Sequence, residues 1–146
     1  MISQTQTTIL KQNVLSGLEN FTVSSPYVYK IALYTADADL NQTTLAYTSV
    51  GEVVGTGYTA GGVEVTGAVL STETTGPNAG TVYVNFDNVS WPGANFTARG
   101  ALIYNVTQSN ASVAVLDFGS DKTFSSTSNT VTMPANTATT ALIRFP

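Results

Sequence analysis

Tyr27-Val28-Tyr29-Lys30-Ile31-Ala32-Leu33-Tyr34 is the stretch that decides the fold class. Successive side chains of an extended strand point to opposite faces. Tyr27, Tyr29, Ile31 and Leu33 therefore share one face, and Val28, Lys30, Ala32 and Tyr34 the other. The same period of two recurs downstream. Val63, Val65 and Val69 alternate with Glu64 and Thr66, and Val82, Val84 and Phe86 with Tyr83 and Asn85. Phe96, Ala98, Gly100 and Leu102 line one face of a run ending near Tyr104. Ser112 to Phe118 is apolar on both sides (Val113, Ala114, Val115, Leu116), as expected of a central strand. Thr130–Met133 and Ala141–Phe145 complete the set. Between these runs lie a Gly-rich connection from Gly51 to Gly62, the turn cluster Thr74–Gly80, and Trp91-Pro92-Gly93. Strands at roughly 8–12-residue spacing with such turns predict an all-β fold, an antiparallel sandwich or jelly roll, over residues 26–146.

Upstream the period changes. From about Thr7 to Phe21, Leu10, Val14, Leu18 and Phe21 recur at helical spacing, one apolar stripe on a short amphipathic helix. Gly17 weakens that helix. Ala38 to Tyr47 has room for one further turn. Residues 1–25 are thus expected to form an N-terminal arm. A lone short helix is marginal in water, so its stripe must rest on something. The expectation is that Leu10, Val14, Leu18 and Phe21 dock on a partner and that the sandwich folds without them.

Composition narrows the function. The chain has 146 residues, enough for one domain. It is 42% apolar and 10% charged, against about 25% charged in an ordinary domain. Thr, Ser, Asn and Gly replace the missing charge. A neighbour can cover such a surface without desolvating many ions, which is costly. The net charge is -4, and Lys11, Lys30, Arg99, Lys122 and Arg144 are scattered rather than clustered, which argues against nucleic acid as a partner. No run reaches the ~18 apolar residues of a membrane span. Met1–Thr8 is polar and lacks the basic start and apolar middle of a secretory signal. There is no Cys and no His. Disulfides, thiolate metal sites, Cys nucleophiles and a Ser-His-Asp triad are excluded, and no cofactor is expected. The chain is read as not an enzyme.

Four motifs carry a resemblance. They are Lys30-Ile31-Ala32-Leu33-Tyr34-Thr35, Thr56-Gly57-Tyr58-Thr59-Ala60-Gly61-Gly62-Val63, Phe96-Thr97-Ala98-Arg99-Gly100-Ala101-Leu102-Ile103-Tyr104-Asn105, and Val113-Ala114-Val115-Leu116-Asp117-Phe118-Gly119-Ser120-Asp121-Lys122. With these, and with the closing Ala141-Leu142-Ile143-Arg144-Phe145, the chain from about Leu10 onward resembles a family of small virion structural proteins of tailed bacteriophages. The resemblance implies a place in the virion, after synthesis in the host cytoplasm. Within that family, capsid decoration is the role inferred, with capsid or other virion proteins as partners. A homo-oligomer is expected, a trimer being one candidate. A tail or fibre component, as ring or distal knob, is the second reading, and a carbohydrate-binding module on the same sandwich the third. The turn from Thr72 to Gly80 is longer than the family pattern suggests.

The remaining candidate sites are weak. Asp117 and Asp121, or Asp37 and Asp39, offer oxygen ligands for Ca²⁺, but acidic residues in turns commonly bond their own backbone. Gly55 to Gly62 lacks the Gly-Lys-Ser/Thr of a phosphate loop. Asn20, Asn41, Asn88, Asn95, Asn105 and Asn110 begin glycosylation sequons, which arise by chance in a chain rich in Asn, Ser and Thr. The tyrosines and Trp91 have core and interface packing as their common use. Arg99, in an apolar strand, is a candidate for an ion pair or a contact between subunits.

Overall fold

The computed structural model describes residues 1–146. The strands form three antiparallel sheets. The largest has the order β1-β8-β7-β2-β3, built from β1 (Thr5–Gln6), β2 (Tyr29–Tyr34), β3 (Val63–Val65), β7 (Phe96–Asn105) and β8 (Ala111–Phe124). The second has the order β10-β5-β4, from β4 (Val69–Thr72), β5 (Val82–Asn85) and β10 (Ile143–Phe145). The third pairs β6 (Val89–Ser90) with β9 (Thr130–Val131). The all-β expectation holds.

The period of two reads directly onto the packing. In β2, Tyr29, Ile31 and Leu33 enter the main core, where they meet Val84 and Ile143 of the second sheet and Val89 and Val131 of the third. Ala32 and Tyr34 enter a smaller core on the opposite face. That second face is covered by the first residues and the segment after β2, through Ile2, Ala38 and Leu40. A sheet covered on both sides explains why Val113 to Leu116 is apolar throughout. Aromatic rings fill one end of the main core: Phe96 stacks on Phe124 at 4.9 Å, and Trp91 meets Phe124 edge-on at 5.7 Å.

Two runs differ from expectation. Val63 to Val69 is not one strand. Gly67 takes a left-handed φ of 68°, with the Asp87 carboxylate packed where a Cβ would stand, and the chain crosses there from the first sheet to the second. Ala38 to Tyr47 holds no helical turn; it runs as isolated bridges at Leu40 and Ala46.

The arm also needs correction. Helix α1 spans Thr8–Leu15, with the Thr7 hydroxyl capping the Leu10 N–H. It stops at Gly17, whose φ is +73°. The Leu18 N–H donates to the Asn13 carbonyl and the Gly17 N–H to that of Val14, a Schellman stop. Residues 1–25 are not a separable unit. β1 is an edge strand of the main sheet, pairing Thr5 with Val115, and α1 packs on β8. Leu10 and Phe21 belong to the main core, and Val14 packs against it.

Candidate interaction surface

The four stripe residues part company. Leu10 is fully buried, and Phe21 is buried with its ring stacked on Tyr29 at 5.1 Å. Val14 is half-buried. Leu10 and Phe21 have no free apolar face of the kind a docking stripe needs, and Val14 keeps only part of one. Leu18 is partly exposed, and Leu15 and Val23, which the helical spacing did not single out, are 89% and 88% exposed. The apolar surface of this region is therefore Leu15 at the end of the helix and Leu18 and Val23 beyond its stop, rather than a stripe along the helix.

The residue after Leu18 is a partly buried carboxylate. Glu19 accepts hydrogen bonds from the Tyr29 hydroxyl at 2.7 Å and from the Asn105 amide at 2.9 Å. Its other oxygen, Oε1, is buried without a partner. Burial raises its pKa above the ordinary carboxyl value, and the hydrogen bonds from Tyr29 and Asn105 only partly offset that. The Tyr29 phenol is pushed up by the same burial, then by the adjacent carboxylate.

A second carboxylate organises the Gly-rich connection. Glu52 accepts from the Tyr47 and Tyr58 hydroxyls and from the Gly61 N–H, each at 2.7 Å. The Tyr58 hydroxyl in turn accepts from the Leu33 N–H, and Tyr104 donates to the Gly61 carbonyl. Desolvation and the hydrogen bond to Glu52 push the Tyr47 phenol up to about 12. Every group at this node is engaged, so it holds the connection on β2. The Gly-rich run is a sheet connection, as its missing phosphate-loop residues suggest.

Arg99 lies opposite an irregularity in β8, where the register shifts between Ala98 and Gly100. Its guanidinium is 3.8 Å from Asp117 and 3.5 Å from Asp121. Asp117 also accepts from the Gly119 N–H at 2.8 Å, the turn role expected of it. Asp39 lies 3.6 Å from the amino terminus. The structure thus places Arg99 in an ion-pair triad on this chain. It brings Arg99 together with the Asp117/Asp121 pair, but not with the stripe residues.

One link had no sequence signal. The Gln6 side-chain amide donates to the Arg144 carbonyl and accepts from the Arg144 N–H, both at 3.0 Å. A side chain on β1 thereby pairs like a strand with β10 and joins the first sheet to the second. No helix is long and apolar enough to cross a membrane. No protein-family model, curated protein or solved structure matches this chain.

Proposed function

We propose that this chain is a structural subunit of a virus particle, decorating the outside of a tailed-phage head. The observation that carries the reading is the surface. It bears exposed apolar side chains at Leu15, Leu18, Val23, Leu45, Val50 and Val54, while the whole chain has only 5 basic and 9 acidic residues. Contact with a neighbour buries apolar area and desolvates few ions, the combination that favours association. The sequence motifs that resemble small virion proteins support the same reading. The subunit would bind the assembled shell and not its separated parts, and so stabilise the shell by mass action. No catalytic step enters the proposal.

Leu15 and Val23 are the residues to test, since both can be changed without touching the core. Heads lacking the subunit are mixed with purified wild-type chain or with the double variant Leu15→Asp, Val23→Asp, and occupancy is measured after pelleting. Each change would place a charge in an apolar contact, which is unfavourable. Occupancy that falls in the folded variant supports the surface assignment. Full occupancy moves the contact to another face.

A further inference from the structure

We infer that β4 is a self-association edge, at which two copies of this chain pair antiparallel about a two-fold axis near Ser71. The other longer edges are closed by the chain itself or, along Asp117 to Phe124 of β8, carry the charges of Asp117, Asp121 and Lys122. The outer edge of β8 is covered at Ser112, whose N–H donates to the Leu45 carbonyl, and at Asn110, whose carbonyl accepts from the Tyr47 N–H. The outer edge of β2 beyond β3 is closed by Gly51 and Val53, and the Leu33 N–H between them by the Tyr58 hydroxyl. On β10 the Gln6 amide takes the Arg144 N–H and carbonyl. β3 is short and carries the charge of Glu64.

β4 has none of these protections. It pairs only with β5. Thr66 to Thr72 contains no charge and no proline, the features with which proteins usually blunt an open edge. The phase of its free groups is fixed by the turn: the Glu73 N–H donates to the Thr81 carbonyl. By antiparallel alternation Ser71 and Val69 also bond inward, and the N–H and carbonyl of Leu70 and Thr72 face outward.

The side chains point the same way. Ile143, Val84 and Leu70 form one cross-strand row on the core side of this sheet. Their exposures run 0%, 3% and 49%, so the apolar row continues off the edge into solvent. A second copy fits as the occupant. With Ser71 on the axis, the outward groups of Leu70 meet those of Thr72 of the other copy, twice over. Each Leu70 then lies beside Thr72 of the other copy, at the end of the row that Thr72 forms with Val82 and Phe145. Two chains of the same net charge can meet here because only Glu73 is charged near the axis. The two Glu73 residues would lie about 13 Å apart along the strands, beyond the ~8 Å screening length at physiological salt.

Sedimentation of the full chain at high micromolar concentration should give twice the monomer mass of 15.3 kDa. Leu70→Lys should return it to monomer and melt close to wild type diluted below its dimerisation range, since Leu70 is half exposed. Ser71→Cys provides a test that does not depend on that variant folding. The chain has no cysteine, and Cα atoms across a non-hydrogen-bonded pair are ~4.5 Å apart, within disulfide range. Air oxidation should link Ser71→Cys into a dimer several-fold faster than Val54→Cys, an exposed site far from the axis in sequence. A wild-type monomer, a dimer that survives Leu70→Lys, or equal cross-linking of the two cysteine variants would overturn the inference.

Discussion

Removing residues 1–21 should abolish cooperative folding, because the segment supplies part of the core. Leu10 has no exposed surface and Phe21 almost none. Leu→Ala at such a site costs about 2–5 kcal/mol, and Phe→Ala about 3–5. Their sum approaches or exceeds the whole stability of many domains, about 5–15 kcal/mol. The deletion also strips β1 from β8 and the Gln6 link from β10. Single substitutions give the graded test. With a urea slope of about 1–3 kcal/mol per molar, a 3 kcal/mol loss in Leu10→Ala lowers the unfolding midpoint by about 1–3 M. Leu15→Ala on the same helix should stay within about 0.5 kcal/mol of wild type, as exposed positions do. Urea melts followed by circular dichroism read all three proteins. If the deletion melts cooperatively near the wild-type midpoint, or Leu10→Ala and Leu15→Ala behave alike, the reasoning is wrong and the segment is an accessory.

Three further outcomes are expected. The folded state holds a proton on Glu19 more tightly than the unfolded chain does, because its pKa is raised. Its contribution is therefore fully present below the unfolded value of ~4.3 and is lost as pH rises through the higher folded value. Melting temperatures measured from acid to neutral pH should show Glu19→Gln gaining on wild type as pH rises, and a constant difference would contradict the assignment. Gln6→Ala removes both bonds to Arg144, at about 0.5–1.5 kcal/mol each; amide exchange at Arg144 should accelerate, and unchanged protection would show that the link contributes nothing. Gly62→Ala should destabilise far more than Gly76→Ala: both have φ above +70°, but a Cβ at Gly62 meets the Ile31 carbonyl and one at Gly76 meets open space. Equal thermal shifts would count against that contact.

β2 was legible because burial on two faces leaves an unmistakable pattern, but the expected Phe96–Ala98–Gly100–Leu102 face of β7 breaks: the register shifts between Ala98 and Gly100, so Phe96, Ala98, Ala101 and Ile103 enter the main core and Leu102 the smaller one. β1 was not legible. Thr5 and Gln6 carry no apolar pattern, and they are a strand only because β8 lies beside them. The helix was read too long for a physical reason. Leu18 and Phe21 keep the helical spacing after the helix has stopped, and Gly17, taken as a weak interior residue, is the left-handed residue of the stop. The run Val63 to Val69 hid a change of sheet because Val63, Val65 and Val69 keep the spacing of one strand, although beyond Gly67 the core side passes to Ala68 and Leu70 and Val69 is exposed. The carboxylate nodes left no local trace. Glu19 meets Asn105 across 86 positions of sequence, and no spacing rule reaches that far. Arg99 was legible as an ion-pair candidate, but its partners Asp117 and Asp121 read locally as turn residues.

The central claim is the place of this chain in a particle, and imaging tests it most directly. The subunit carries a small tag at an exposed position such as Val54, and tagged particles are imaged and averaged. The account predicts many copies spread over the head lattice, on its outer side. A few copies confined to the tail, or no label on the particle, would contradict it.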